Sequence, residues 1–304
     1  MQSLSKNPAT LAFVIAYPDT VVRTATREFS RYVWPLFGIG GRNAVKAGHA
    51  ALVLVSEKDN SISYFDFGRY VTSQDFGRVR SGKTDVELSI PFKAVFSKGK
   101  MINISQLLLY LDSQSHNTHG NGRMLVSVNA CIDYEKAIYF INALQDQGEV
   151  PYGAFLKEGS NCARFVCDVL KHAVTDIGIR NALLWSKIIT PSPISNLLKG
   201  KSEAVVYEVF QQHISIYTNR FVQKEHFKCL TANVSQKLNF EGTILPNTAM
   251  YAPSNGQWLG GIGSGAWYAL ENTQESFVVQ LNRRSVSGVL QSRTFFSTSD
   301  TVFC

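Results

Sequence analysis

In the stretch GSNCARFVCDVL, residues 159–170, a cysteine directly follows Ser160-Asn161 and opens what the apolar spacing predicts as a helix. Ser160 or Asn161 can cap that helix. The Cys162 thiol then sits in the first turn, where unpaired backbone N–H groups and the positive end of the macrodipole favour a thiolate. A thiolate is the attacking species of cysteine chemistry. Cys167, five residues on, falls about 140° round the axis at 3.6 residues per turn. It belongs with Phe165 and Leu170 in a core stripe. A free cysteine is ordinarily a small buried residue like that one, so the reading of Cys162 depends on whether a base accompanies it.

Six histidines are available. His172 lies ten residues along the same helix, about 15 Å from Cys162, and cannot serve. His213 and His226 fall within a segment expected to be a long helix, about 203–228, where a surface histidine is the ordinary interpretation. His116 and His119, in SHNTHGNG, are spaced to share a metal, but no third ligand is evident. His49 differs from all of these. It opens the apolar strand GHAALVLV behind a glycine that lets another backbone or a ligand approach, and the next strand offers it a partner. If the hairpin turns around Lys58-Asp59, Gly68 lies opposite His49, and Tyr64 and Asp66 fall on the same face by the period of two. Asp66 is then a diagonal neighbour able to hold the imidazole's tautomer. One residue of slip would turn it away.

The elements that must position these groups follow from the rest of the chain. LAFVIAY (11–17) reads as a buried strand ended by PDT. Residues 19–34 space their apolar positions at three and four and predict a helix. HAALVLV (49–55) and ISYFDFGRY (62–70) make the hairpin; 86–96 and 123–133 read as further strands, 104–114 and 133–148 as helices. Turns are expected at TPSPIS (190–195). From about Leu238 glycine, asparagine, serine and aromatics recur at short intervals, followed by strand-like FVVQL and SGVLQSRTFF, which predicts a small β-rich module. Its LGGIGSGAW run has no following Lys-Ser or Lys-Thr, so tight turns explain the glycines better than a phosphate loop.

Composition sets the class. In a chain of 304 residues, 45% hydrophobic and only 17% charged content describes a folded globular protein rather than a disordered one. The formal charge of +7 is spread along the chain, and its densest cluster, GRVRSGK (77–83), lacks the interleaved aromatics of a single-strand groove. It reads as a solvated loop, and no nucleic-acid partner is expected. Five scattered cysteines without a CxxC pair argue against a disulfide framework or zinc finger, and no metal or other cofactor is expected. LAFVIAYP (11–18) is too short to span a bilayer, so no integral membrane segment is expected. The N-terminus lacks the marks of a signal peptide. A cytoplasmic chain is the expectation, with signal-independent export left open. Oligomeric state is not encoded in any motif.

A strand carrying GHAALVLV, a neighbour carrying YFDFG, and NCARFV much later at a helix start resemble the permuted NlpC-type papain-like cysteine hydrolases, a group that includes the lecithin:retinol acyltransferase-like enzymes. The likeness covers roughly residues 10–175. In this group the histidine strand precedes the cysteine helix, as here. The resemblance implies an α+β fold with an antiparallel sheet and helices, Cys162 as nucleophile, His49 as base, and Asp66 as third residue with Tyr64 second. The backbone N–H of Cys162 at the helix start is the natural oxyanion donor, with Asn161, Tyr64 and the AYPDT turn, through Tyr17 or Asp19, as further candidates to meet substrate or assist an oxyanion. Ala163-Arg164 stands where the acyltransferase-like branch has a glutamate-histidine pair, and the C-terminal anchor of that branch is missing, which turns the expectation from lipids toward a peptide-like or peptidoglycan-like amide. The expected organisation is a papain-like domain over 1–200, a connecting helix over 201–237 and the β-rich module over 238–304. Two alternatives stay open: a thioester or lipid acyl hydrolase or acyltransferase, and a non-catalytic binding module.

Overall fold

A computed structural model describes residues 10–24, 28–40, 44–70, 72, 75–118, 120, 122–218, 227–228, 230–231, 257–259, 266–272, 278–285 and 290–296. The chain divides into two compact units, one of Met1–Gly68 with Gly77–Leu238 and one of Arg69–Phe76 with Asn239–Cys304.

The first unit begins β1 (Thr10–Tyr17), β2 (Val22–Arg23), α1 (Ser30–Val33), β3 (Ala44–Val45), β4 (His49–Ser56), β5 (Ser61–Gly68) and β6 (Phe76–Ser81). It continues through β7 (Phe96–Ser97), β8 (Lys100–Met101), α2 (Ile104–Ser113), α3 (Ser115–Thr118), β9 (Met124–Asn129), α4 (Tyr134–Asp146) and β10 (Val150–Pro151). It closes with α5 (Cys162–Ala173), α6 (Ile177–Ser186), α7 (Pro193–Lys199), β11 (Val206–Phe210) and β12 (His213–Ile216). Eight strands form one sheet in the order β10-β6-β5-β4-β1-β9-β11-β12. The ladders from β6 across to β12 are antiparallel. This is a mixed α+β fold built on a large antiparallel sheet, as the sequence predicts.

Both faces of the sheet centre are covered. Ala12, Val14, Ala50, Leu52 and Leu54 pack with Ala137 and Ile141 of α4 and with Phe165, Val166 and Val169 of α5. Phe13, Ile15, Ala51 and Val53 pack on the opposite side with Leu107, Leu108 and Leu111 of α2. A strand buried on both faces reads as an unbroken apolar run rather than an alternation, which is why HAALVLV shows no polar side: every residue of β4 is buried. A polar group at the end of such a strand must find its partners inside the protein.

Several expectations are corrected. Residues 22–23 pair with 44–45 as short strands and, among the described residues, helix begins at Ser30 and passes into a 3₁₀ turn at Trp34–Phe37, so the helix expected over 19–34 does not form as one element. The β-branched Thr20, Val21, Val22 and Thr24 favour extended backbone there. The strand expected over 86–96 is a single 3₁₀ turn at Val86–Leu88 and a loop reaching β7, interrupted by Pro91. The helix expected over 203–228 is, through 206–216, the hairpin β11–β12. Gln211 and Gln212 both take positive φ, 50° and 62°, the backbone a two-residue hairpin turn requires, and Val206, Val209 and Ile214 supply strand formers around it. His213 is therefore an exposed strand residue; His226 lies outside the described residues. TPSPIS proves to be a helix start, with Ser192 and Ser195 forming a reciprocal capping box and Pro193 in the first turn of α7.

In the second unit, β13 (Gln257–Leu259), β14 (Ala266–Asn272), β15 (Val278–Ser285) and β16 (Leu290–Phe296) form a four-stranded antiparallel meander. The expected β-rich module is present there. Trp258 and Trp267 occupy directly opposed register positions.

Candidate active site

Cys162 is the first residue of α5, and Asn161 rather than Ser160 supplies the cap: its Oδ1 accepts from the Arg164 N–H at 2.8 Å, with extended backbone at φ −144°. The Phe165 N–H donates to the Asn161 carbonyl at 2.9 Å. This cap satisfies the third N–H of the helix and leaves those of Cys162 and Ala163 at its open end. The arginine behind the cap is also occupied. Arg164 Nη1 donates to the carbonyls of Gly153, Ala154 and Leu156, fastening the loop that leads into the helix. Asn161→Ala is expected to cost about 1 kcal/mol. Urea unfolding checks this, and an unchanged midpoint would remove Asn161 from the role of cap.

His49 enters from the opposite direction, at the first position of β4. Gly48 before it takes φ +78°, and a Cβ there would stand 2.9 Å from the Tyr17 carbonyl, so close backbone approach as well as conformation demands glycine. Tyr17, on β1, is the register partner of His49, and their rings stack with centroids 6.1 Å apart. On its other side the Tyr17 ring meets Gly120, where no side chain would fit. The imidazole is thus backed by a fully packed aromatic.

The hairpin register is the predicted one. Ala51 pairs with Asp66 and Ser56 with Ser61, a register centred between Lys58 and Asp59 that puts Asp66 on the diagonal from His49. Its Oδ2 lies 3.4 Å from His49 Nε2. The Tyr64 hydroxyl donates to the same oxygen at 3.1 Å. A fourth group was not expected. Arg80, directly opposite Asp66 on β6, donates from Nε to Oδ1 at 2.9 Å and from Nη2 to Oδ2 at 2.6 Å. Asp66 is 0% and Arg80 1% exposed. GRVRSGK is therefore strand as far as Ser81, not a solvated loop, and its second arginine is a core residue.

The charges in this row support one another. Burial works to raise the Asp66 carboxyl, but the Arg80 charge, the His49 contact and the arginine's hydrogen bonds outweigh it and hold it well below the usual carboxylate range. Burial works to lower His49; hydrogen bonds to Asp66 and to the Cys162 thiol, with the negative charge of both, overcome it and push the imidazole up to about 9. The sulfur and the ring are thus neighbours that act on each other's charge. Because Nε2 faces Asp66, Nδ1 is the nitrogen left for the thiol. Cys167 shows the contrasting environment: packed in the core against the Leu183 carbonyl, burial pushes its thiol up to about 12.

Of the remaining candidates, Asp19 accepts from Arg123 Nε at 3.1 Å and pairs with Lys46 Nζ at 2.9 Å. Burial of the carboxyl is outweighed by these cations, which lower it. An acceptor so held has no hydrogen to offer an oxyanion. Burial raises the Tyr17 phenol, whose neighbour is the buried Thr118 hydroxyl, and its ring stacks on the imidazole. His116 lies in α3; His119 is outside the described residues. Among the described residues no group of three or more histidine, cysteine or acidic side chains is arranged to hold a metal, and no helix is long and apolar enough to cross a membrane.

Fold and site together define a mixed α+β protein in which a helix-capped cysteine meets a buried histidine–aspartate–arginine row. The family model described as type VI secretion system effector TseH-like matches residues 12–179, more than half of the chain, and the chain belongs to that family. Residues 256–304 match the family described as the DUF6695 C-terminal domain. Among solved structures, the crystal structure of the type VI secretion system effector TseH is similar at 16% identity and a TM-score of 0.44, covering 70% of this chain and 100% of that one. Comparison with curated proteins returns no match.

Proposed function

We propose that this chain is a cysteine hydrolase of the permuted papain-like, NlpC-type kind, cleaving an amide in a peptide-like or peptidoglycan-like substrate. The observation that carries the reading is the placement of a buried histidine, backed by Asp66 at 3.4 Å, beside a buried cysteine at a helix start, where the carboxylate and the sulfur raise the imidazole. The chain order, histidine strand before cysteine helix, supports the permuted arrangement. The family description, a secretion-system effector, suits a hydrolase that acts away from the cell that makes it.

In this mechanism the thiol proton passes to His49 Nδ1 as the sulfur becomes the nucleophile. The sulfur attacks the carbonyl carbon; the C=O electron pair moves to oxygen, and the Cys162 N–H at the open end of α5 donates to that oxyanion. Collapse breaks the C–N bond as His49 passes its proton to the departing amine. Water, deprotonated by the now neutral His49, attacks the thioester, releases the acid and restores the sulfur. Asp66 stabilises each imidazolium stage without itself taking the proton.

Labelling tests this directly. Iodoacetamide at pH 6 to 7 is expected to modify Cys162 ahead of Cys131, Cys167, Cys229 and Cys304, as read by peptide mass mapping, and His49→Ala is expected to abolish that preference. Equal labelling of several cysteines, or preference unchanged without His49, rejects the reading.

A further inference from the structure

We infer that Arg80 is a positioning residue for this site: its two-pronged grip fixes the Asp66 carboxylate so that Oδ2 meets His49 Nε2 and turns the other ring nitrogen to the sulfur. The inference rests on the hydrolase reading above. It adds a group that neither composition nor the resemblance points to.

The geometry is specific to an arginine. Nε and Nη2 engage different oxygens of one carboxylate, 2.9 and 2.6 Å away, the fork that only a planar guanidinium supplies. The remaining capacity is directed as well, since Nη2 also donates to the Asn117 carbonyl at 3.1 Å, which ties α3 to the same anchor. Without this grip Asp66 would have only the Tyr64 hydroxyl, and a 3.4 Å contact with His49, to hold its orientation. Buried ion pairs are weak devices for stability compared with apolar packing. A pair placed one contact from the reactive imidazole is instead a means of orientation.

The charged and titratable groups around the row are few. Arg80 faces Asp66 from β6, Tyr64 from its own strand and His49 from β4, while Tyr17 feels Asp66 from β1. Cys162 faces His49 from α5. Asp85, engaged by Arg78 at 2.6 and 2.7 Å, also feels Arg80. Among these groups, the hydrogen bonds of Arg80 reach the Asp66 carboxylate and the Asn117 carbonyl, so its grip bears on the imidazole through Asp66.

The test follows iodoacetamide alkylation of Cys162 in the full chain from pH 5 to 9.5, by peptide mass mapping, for wild type, Arg80→Lys, Arg80→Met and Asp66→Asn. If Arg80 positions the carboxylate, Arg80→Met lowers the rate at pH 6 about tenfold, one unit of thiolate-pair stabilisation. At pH 9.5, where thiols ionise unaided, it changes the rate little. Arg80→Lys keeps the charge but not the fork and is expected to show a smaller loss of the same shape. Added to Asp66→Asn, Arg80→Met should cause no further loss, because the path runs through that carboxylate. Should Arg80→Met fail to fold, Arg80→Lys decides. A folded Arg80→Lys protein whose profile overlies wild type overturns the inference, as does full additivity with Asp66→Asn. Failure of the hydrolase reading looks different: wild type itself would then show no His49-dependent low-pH reactivity.

Discussion

Cys162→Ala is expected to abolish release of free amino groups from purified peptidoglycan, or from a peptide amide that the wild type cleaves, by a factor on the order of 10⁴. In the proposed mechanism all covalent steps run through this one sulfur, so no neighbouring group can substitute for it. Cys167 has its thiol in the core against a backbone carbonyl, and Cys131 precedes α4 in a different part of the unit. The change removes one buried atom near a helix end, so stability should move by no more than about 1–2 kcal/mol. A loss of activity with an unchanged circular dichroism melt supports the nucleophile. Full turnover by the alanine variant would sink the proposed function whatever the geometry.

The second large effect is on stability. Asp66→Ala leaves the Arg80 guanidinium inside the protein without its carboxylate, and removal of one member of a buried pair costs about 3–5 kcal/mol. Removing both, as Asp66→Ala with Arg80→Met, should cost less than the single change, because no charge is then stranded. Equilibrium urea unfolding of the three variants measures this. A single variant within about 0.5 kcal/mol of wild type would show that the row does not constrain the folded state. The same row predicts a pH response with two limbs. Asp66 is depressed below the ordinary aspartate value of 3.8, so its contribution is present above that pH and lost as pH falls further. His49 is raised from 6.5 to about 9; its contribution is complete below 6.5 and lost as pH rises toward 9. Melting temperature should therefore fall on both sides, and His49→Ala should remove the alkaline limb while leaving most of the acid limb, which the Arg80 charge sustains.

Much of the site was readable from residue types and spacing because its geometry is local. One tight hairpin fixes which of Tyr64, Phe65 and Asp66 shares a face with His49, and the turn formers of SEKDNS locate its centre. The helix at Cys162 announces itself through Asn161. Arg80 was hidden for a physical reason: a short strand with two arginines resembles a solvated loop, and only pairing in three dimensions decides that one of them is buried against Asp66. An unmatched buried aspartate was the available clue, since a carboxylate placed in a core demands a cation. The hairpin at 206–216 was misread because Val, Tyr, Phe and Ile spaced through YEVFQQHISI suit either periodicity, and its two-residue turn is built from glutamines rather than glycine or asparagine. Residues 19–34 failed similarly, with helical spacing overruled by β-branched side chains.

His49, Asp66 and Arg80 occupy three successive strands, whereas Cys162 comes from a helix some eighty residues further along the chain. Neighbouring hairpins close with little entropic loss, and long-range docking costs more. Local hairpin closure is therefore enough to bring Asp66 against His49 and Arg80, whereas joining the sulfur to the imidazole takes a long-range docking step, so the row is expected to form before the pair.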